Sequence, residues 1–312
     1  MDPFADLIGL LRPRATLWGR IQGTGRWALS FRKRDDLLFC WVETGELQLT
    51  RPDAEPRFLN TGDFALIRTS SPFSLTTDPD LHPQDSEALV SSTGSTELVL
   101  GEATGPRVVL RCGRFVFDTA NEALLWSLLP STLHVAAGQQ TSWRIRSLLT
   151  LNDAEGQSPG PGSDLIVRRL IELTLLEVLR NEVPRLDPKT KGLLAGLADP
   201  VISQALIAMH GQVTRAWTVA ALARLCGVSR STFAVRFQEV MGVSPIEYLT
   251  GWRIAIAKDK LRYGTQTIGE IALAVGFQSS SAFSTAFRRV AGCSPKQFAQ
   301  QGAAPKPPQT SA

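Results

Sequence analysis

The feature that most constrains this chain is a repeat in its last third. The segment Val219–Ser229 and the segment Ile268–Ser279, about fifty residues further on, share one pattern. Each reads apolar-x-x-Leu/Ile-Ala-x-x-x-Gly-apolar and then Ser, and the spacing predicts a helix after each, over Arg230–Met241 and Ser280–Ala291. This is the pattern of a helix-turn-helix. The small Ala223 and Ala272 let two helices approach closely, and Gly227 and Gly276 stand where the chain must turn, often with φ > 0. Ser229 and Ser279 are placed to cap the second helix of each pair.

One copy would be weak, because Ala and Gly at these offsets also occur in plain helical hairpins. Two copies joined by a stiff connector are specific. Pro245 can open that connector, Ile246–Arg262, whose apolar side uses Leu249, Trp252, Ile256 and Leu261. If it holds the two second helices one DNA turn apart, roughly 34–36 Å, both can enter successive major grooves on one side of a duplex. The charge agrees. Residues 200–312 carry 12 Lys and Arg against 4 Asp and Glu, a net +8, whereas residues 1–199 carry 21 against 25, a net −4. A polyanion is therefore expected to bind one half only.

The chain has 312 residues, enough for about two domains. Leu37–Val42, Glu46–Thr50, Phe64–Arg68, residues 98–101 and Arg107–Phe117 read as short strands between Gly and Pro turns, as in a sandwich or barrel. Helical spacing follows at Ala123–Leu129, which Pro130 ends, and again at Trp143–Leu151. Asn152–Ser163, rich in Gly and Pro, is expected to be a loop. Ser163 or Asp164 caps a helix to about Asn181 that is apolar almost all round, so it is either deep core or shared with a second subunit. No apolar run reaches the ~18–20 residues of a membrane span, and the start Met1–Asp6 does not resemble a signal peptide, so a cytoplasmic location is expected. Four scattered cysteines form no Cys-x-x-Cys.

Residues from about 200 to 299 resemble the DNA-binding domain of AraC/XylS-type transcriptional regulators. The carrying stretches are Ile271-Ala272, Val275-Gly276-Phe277, Phe283-Ser284, Phe287-Arg288 and Gly292-Cys293-Ser294-Pro295. Gly242-Val243-Ser244-Pro245, with Tyr248-Leu249 and Arg253, is the matching end of the first half. Residues 4–180 resemble, more weakly, the cupin-like sensor half of a subgroup. The resemblance implies an α+β chain of two domains: a cupin-like β-barrel with a helical extension over 1–183, a linker over 184–199, an all-α domain with two helix-turn-helix motifs over 200–300, and a disordered tail over 301–312.

Phe233 and Phe237, four residues apart, should face the core of the first half, as Phe283 and Phe287 should in the second. DNA then meets Ser229, Arg230, Ser231, Ala234 and Val235, with Arg236 and Gln238 at the margin. In the second half it meets Ser279, Ser280, Ser281, Ala282, Ser284 and Thr285, with Arg288 and Arg289 further along. The resemblance implies base reading from these positions. Val235 stands where relatives often carry Arg, so Val235 or Ala234 would touch a thymine methyl instead. Arg230, Arg236, Arg288 and Arg289 are expected to hold phosphates. Trp217 and Trp252 are expected in the core.

Cupin enzymes hold a metal with two or three His and a carboxylate. Here His82, His134 and His210 are the only histidines, and none is expected beside Gly62-Asp63, so an enzyme is the poorer alternative and no cofactor or metal is expected. A small-molecule effector would instead lie among Trp18, Trp27, Phe31, Phe39, Trp41, Phe64, Phe73, Phe115 and Phe117. Cys112, flanked by Arg111 and Arg114, is a candidate thiol sensor, with a buried core residue as the alternative. The expected partners are double-stranded promoter DNA, an unidentified effector, and, as further candidates, RNA polymerase and a second copy of the chain. A constitutive DNA binder whose first half only dimerises is the other alternative.

Overall fold

The computed structural model describes residues 3–34, 36–52, 54–95, 97–117, 121, 131–182 and 191–302, with side chains left aside at 4, 14–18, 182, 301 and 302. The helix expected at Ala123–Leu129 and the tail from 303 lie outside these residues. Contacts divide the chain into two compact units, one built on Arg12–Phe117 with the described part of 129–185, the other on Pro3–Leu11, Asn121 and 191–302.

Helix α1 (Pro3–Leu11) opens the chain and packs within the second unit. In the first unit, strands β1 (Arg14–Thr24), β2 (Ala28–Phe31), β3 (Leu37–Thr44), β4 (Glu46–Arg51), β5 (Ala54–Asn60), β6 (Phe64–Arg68), β7 (Phe73–Thr76) and β8 (Gln84–Asp85) lead to helix α2 (Ser86–Thr93). Strands β9 (Glu97–Gly101), β10 (Arg107–Val116) and β11 (Thr132–Val135) follow. They form a six-stranded sheet in the order β11-β6-β3-β10-β1-β9 and a five-stranded sheet in the order β5-β4-β7-β2-β8. Among the described residues, only the β1–β9 and β2–β8 pairings are parallel. One apolar core draws on both sheets, with Leu38, Cys40 and Leu110 from the first and Leu29, Phe31 and Leu75 from the second. Strand alternation makes this pattern, because every second residue points inward. The turns expected at Gly45 and Gly62 are present, each glycine at positive φ, 88° and 90°.

Several of the phenylalanines expected around an effector pack on one another. Phe31 stacks on Phe73 at 4.6 Å, and Phe39 packs against Phe115 at 5.2 Å. Trp27, Phe31, Phe39, Phe64, Phe73 and Phe115 are all buried, so these rings are core rather than the wall of an open chamber. The side chain of Trp18 lies outside the described ones.

Helices α3 (Gln140–Gln157) and α4 (Ser163–Glu182) complete the unit as a hairpin tied by Arg144 and Glu177 at 3.3 Å. Helix α3 runs through Asn152 and Gly156, which the sequence places in a loop, and the connection shrinks to 158–162. Helix α4 has two fates on its two sides. Ile171, Leu175, Val178 and Leu179 are buried, while Leu165, Ile166 and Leu173 are 57%, 44% and 47% exposed.

In the second unit, α5 (Leu193–Ala198) falls where a linker is expected. Leu193 and Leu194 are buried, and a Cβ on Gly196 would strike Met241 and Leu206 at under 3 Å, so this segment is packed into the domain. Then come α6 (Pro200–Gly211), α7 (Val219–Leu225), α8 (Arg230–Met241), α9 (Pro245–Tyr263), α10 (Ile268–Ala274), α11 (Ser280–Ala291) and α12 (Pro295–Gly302). Trp217 and Trp252 are buried, as expected.

Candidate nucleic-acid interface

Both helix-turn-helix pairs, α7–α8 and α10–α11, are built by the same local bonds. Thr218 and Thr267 cap the first helix of each, accepting from the amides of Ala221 at 3.1 Å and Glu270 at 3.3 Å. Glu270 returns the bond to the Thr267 amide at 2.7 Å, a capping box, and that amide holds its carboxyl below the usual range. At each turn the glycine has positive φ, 68° at Gly227 and 88° at Gly276. The next amide bonds back across it, Val228 to the Ala223 carbonyl at 3.1 Å and Phe277 to that of Ala272 at 2.9 Å. Ser229 and Ser279 then accept from the amides of Thr232 and Ala282 at 3.1 and 3.2 Å, so both are helix caps.

The two second helices share an interior and an exterior. Phe233 and Phe237 are fully buried with ring centroids 5.6 Å apart, and so are Phe283 and Phe287, also at 5.6 Å. On α8 this leaves Arg230, Ser231, Val235 and Gln238 exposed, with Ala234 and Arg236 half-buried. On α11 it leaves Ser280, Ser281, Ala282, Thr285, Arg288 and Arg289 exposed, with Ser284 half-buried. Ser284, Thr285, Arg288 and Arg289, two hydroxyls and two guanidinium groups, line one shallow hollow of about 350 Å³.

Arg236 has a partner the sequence does not show. Its Nε donates to Asp199 Oδ2 at 2.8 Å, and Asp199 in turn caps α6 through the amides of Val201 and Ile202. Burial would raise the Asp199 carboxyl, but those amides and the guanidinium outweigh it and hold it below the usual range. Arg236 thus anchors α8 to α6 with one edge of its guanidinium. Sequence reasoning also passes over Arg215, whose guanidinium lies 4.0 Å above the Trp217 ring just ahead of α7. An Arg-x-Trp spacing was the only signal.

Residues singled out in the first unit sit differently from expectation. Cys112 is buried on the core side of β10, opposite Cys40 on β3, with the two sulfurs 3.4 Å apart. Alternation turns Arg111 outward to Glu43 and Asp153, so this cation lies on the far face of the strand. The contact with Cys112, together with burial, pushes the Cys40 thiol well above its usual range. Of the two flanking arginines, Arg111 thus pairs with Glu43 and Asp153, and Arg114 lies 3.5 Å from Asp36, so each is engaged with a carboxylate. His134 does reach Asp63, at 2.9 Å, because β11 pairs with β6; the sequence separates the two by 71 residues. The amides of Asn60 and Ala137 also bond to that carboxylate, and no cluster of three metal-ligating side chains occurs among the described residues.

A cupin family model matches residues 2–183, and a helix-turn-helix domain model matches residues 222–301. A protein of Streptomyces lividans named as an AraC-like transcription regulator is 38% identical over 96% of this chain and 98% of its own length. The chain belongs to the AraC-like transcription regulators. It is a DNA-binding regulator of transcription, with a cupin-like first part and a helical second one. The transcriptional regulator AlkR of Acinetobacter baylyi is 28% identical over 96% of this chain and the whole of its own. The DNA-binding domain of AdpA, solved with a target DNA, is 28% identical over 35% of this chain and 98% of its own, with a TM-score of 0.33. Among the described residues no helix is long and apolar enough to cross a membrane.

Proposed function

We propose that this regulator reads a bipartite promoter site, with α8 in one major groove and α11 in the next. The observation that carries this is the matched construction of the two pairs. The same caps, turn bonds and paired phenylalanines leave equivalent faces of α8 and α11 open. The connector α9, with 19 residues, is roughly 28 Å long, close to one turn of duplex. On the open faces, Arg230, Arg288, Arg289 and the free edge of Arg236 hold phosphates. Ala234 and Val235 meet thymine methyls, and Ser280, Ser281, Ala282, Ser284 and Thr285 meet base edges or sugar-phosphate.

Phosphate contacts release counterions, so affinity must fall with salt. A gel-shift titration of the full chain in potassium chloride is expected to give a steep linear log–log plot. Arg288→Gln should make its slope shallower by about one. A flat plot for the unaltered protein would sink the reading.

A second copy of the chain is the partner we propose for the open side of α4. Leu165, Ile166 and Leu173 are too large to leave in water without a use, and α3 adds an exposed Trp143. Sedimentation of the Ile166→Glu/Leu173→Glu double variant should give a monomer where the unaltered chain gives a dimer; equal sedimentation would exclude this face. For the effector, we propose the open cleft lined by Arg26, Glu46, Asn60, Thr61 and Glu102, about 660 Å³. In this scheme the chain acts by binding rather than by catalysis.

A further inference from the structure

Three parts of the helical unit meet at one guanidinium. Arg253, half-buried on α9, donates from Nε to the Val213 carbonyl at 2.9 Å and from Nη2 to the Arg215 carbonyl at 2.8 Å. Both carbonyls belong to the segment that leads into the first helix-turn-helix pair, five and three residues ahead of the Thr218 cap. That segment is itself held, since Trp217 Nε1 donates to the Gln212 carbonyl at 3.1 Å and the Arg215 guanidinium covers the Trp217 ring. The opposite wall is the turn of the second pair. The ring of Phe277 lies 5.8 Å from the Arg253 guanidinium carbon. A Cβ added at Gly276 would come within 2.7 Å of Thr214 Cα and 2.9 Å of Arg253 Nη2. The bare backbone of Gly276 thus lets the turn of the second pair touch the segment that leads into the first, with Arg253 wedged beside the contact.

We infer that Arg253 is a positioning residue that sets the offset between the two reading helices by bolting the segment 213–215, which leads into the first pair, to the Gly276–Phe277 turn of the second. Arginine suits this task and lysine does not. The planar fork holds two carbonyls in a fixed geometry while its face lies over a ring, whereas an ammonium is a point charge on a flexible stem that fixes neither. The carbonyls are neutral, so the charge itself is not the purpose; burial even lowers the guanidinium from its usual range. The connector α9 alone would fix how far apart the reading helices stand. The bolt adds their relative rotation about α9.

The inference rests on the bipartite reading proposed above, and the test separates the two. A preferred duplex is first selected from a random pool with the full chain. It is then remade with one base pair inserted or deleted between the half-sites. The unaltered protein should lose at least about tenfold in affinity on either change. Arg253→Gln should bind the parent duplex about tenfold more weakly, yet distinguish the three spacings by less than about threefold, with an unchanged salt slope. Arg253→Lys should fall between and, if the glutamine variant does not fold, decides the matter by the same spacing measure. If the unaltered protein ignores spacing, the bipartite reading fails and this inference fails with it. If it respects spacing and the Arg253 variants respect it equally, the inference alone is overturned. A salt slope reduced by about one in Arg253→Gln would overturn it too, by making Arg253 a phosphate contact.

Discussion

Replacing Phe287 by alanine is expected to destabilise the second reading pair by about 3–5 kcal/mol and to cut affinity for a bipartite site by about a hundredfold or more. Phe287 is fully buried and sits in a line of rings, 5.6 Å from Phe283 on one side and 5.6 Å from Phe298 on the other. Ile254, Ala257, Ile271, Ala272 and Val275 close the rest of that small core. It is separate from the Phe233–Phe237 core of the first pair, so the damage should be local. A core this small has few side chains that can move into a void, which puts the cost toward the upper end of the range. Hydrogen exchange should show α10 and α11 losing protection while α7 and α8 keep theirs. The DNA effect follows from linkage in one chain. With one reading helix gone, the other binds alone, and the gain from tethering two contacts is lost. Val235→Ala is the control, since Val235 is 58% exposed and its loss should leave stability within about 0.5 kcal/mol. Unchanged exchange in α10 and α11 of the Phe287 variant would refute the independent second core.

The reading pairs were legible in the sequence because everything that makes them is local. A cap, an alanine, a left-handed glycine and a second cap lie within about eleven residues of one another, and the chain repeats them. The boundaries of α8 and α11 coincide with those the spacing predicts, Arg230–Met241 and Ser280–Ala291. Much of the first unit was less legible. β1 is interrupted by Gly19 and Gly23 and shows no alternation to read, yet it is held on both sides by β10 and β9. β5 has only Leu59 buried, so it carries no apolar face at all and owes its conformation to pairing with β4. The helix α5 is six residues long and lies between prolines, a pattern that reads as a linker until Met241 and Leu206 are seen packed on it.

The site was legible in part for the same reason. Which side chains of α8 and α11 face outward follows from the position of two phenylalanines. What holds them in place does not. Arg236 finds Asp199 across 37 residues, and Arg253 finds Val213 and Arg215 across about forty, partners that no periodicity can indicate. His134 and Asp63, and Cys112 and Cys40, are long-range pairs of the same kind, set by strand register. For Arg111 beside Cys112, strand direction matters in the same way. Neighbours in sequence along a strand point to opposite faces, so adjacency to Arg111 separates the two side chains rather than joining them.

The other large effect expected is on stability in mild acid, and it centres on His210. The ring is buried in the helical unit, stacked on Trp252 at 4.1 Å between centroids, with Nε2 2.8 Å from the Tyr248 hydroxyl and Nδ1 3.3 Å from Asp6 on α1. Removal from water is the main cause that lowers the His210 pKa to about 4, although the ring lies beside Asp6. An unfolded histidine titrates near 6.5. Between these values the unfolded chain binds a proton that the folded one refuses. The contribution is therefore fully present above about pH 6.5 and is lost as pH falls towards 4, about 3 kcal/mol in all. The carboxylates held below their usual range, such as Asp199 and Glu270, act in a lower window, since their contribution is lost as pH falls below their ordinary values of 3.8 and 4.5. Urea melts at pH 7 and pH 4.5 should thus show the helical unit markedly weaker in acid. His210→Gln should be less stable at pH 7, because the stacked ring is gone, but should change much less between the two pH values. Hydrogen exchange in α6 reports this unit directly. Equal acid sensitivity in the glutamine variant would assign the loss to other groups. An acid-insensitive α6 in the unaltered protein would show that His210 is already protonated in the fold, with Asp6 as its counter-ion and α1 held to the helical unit by charge.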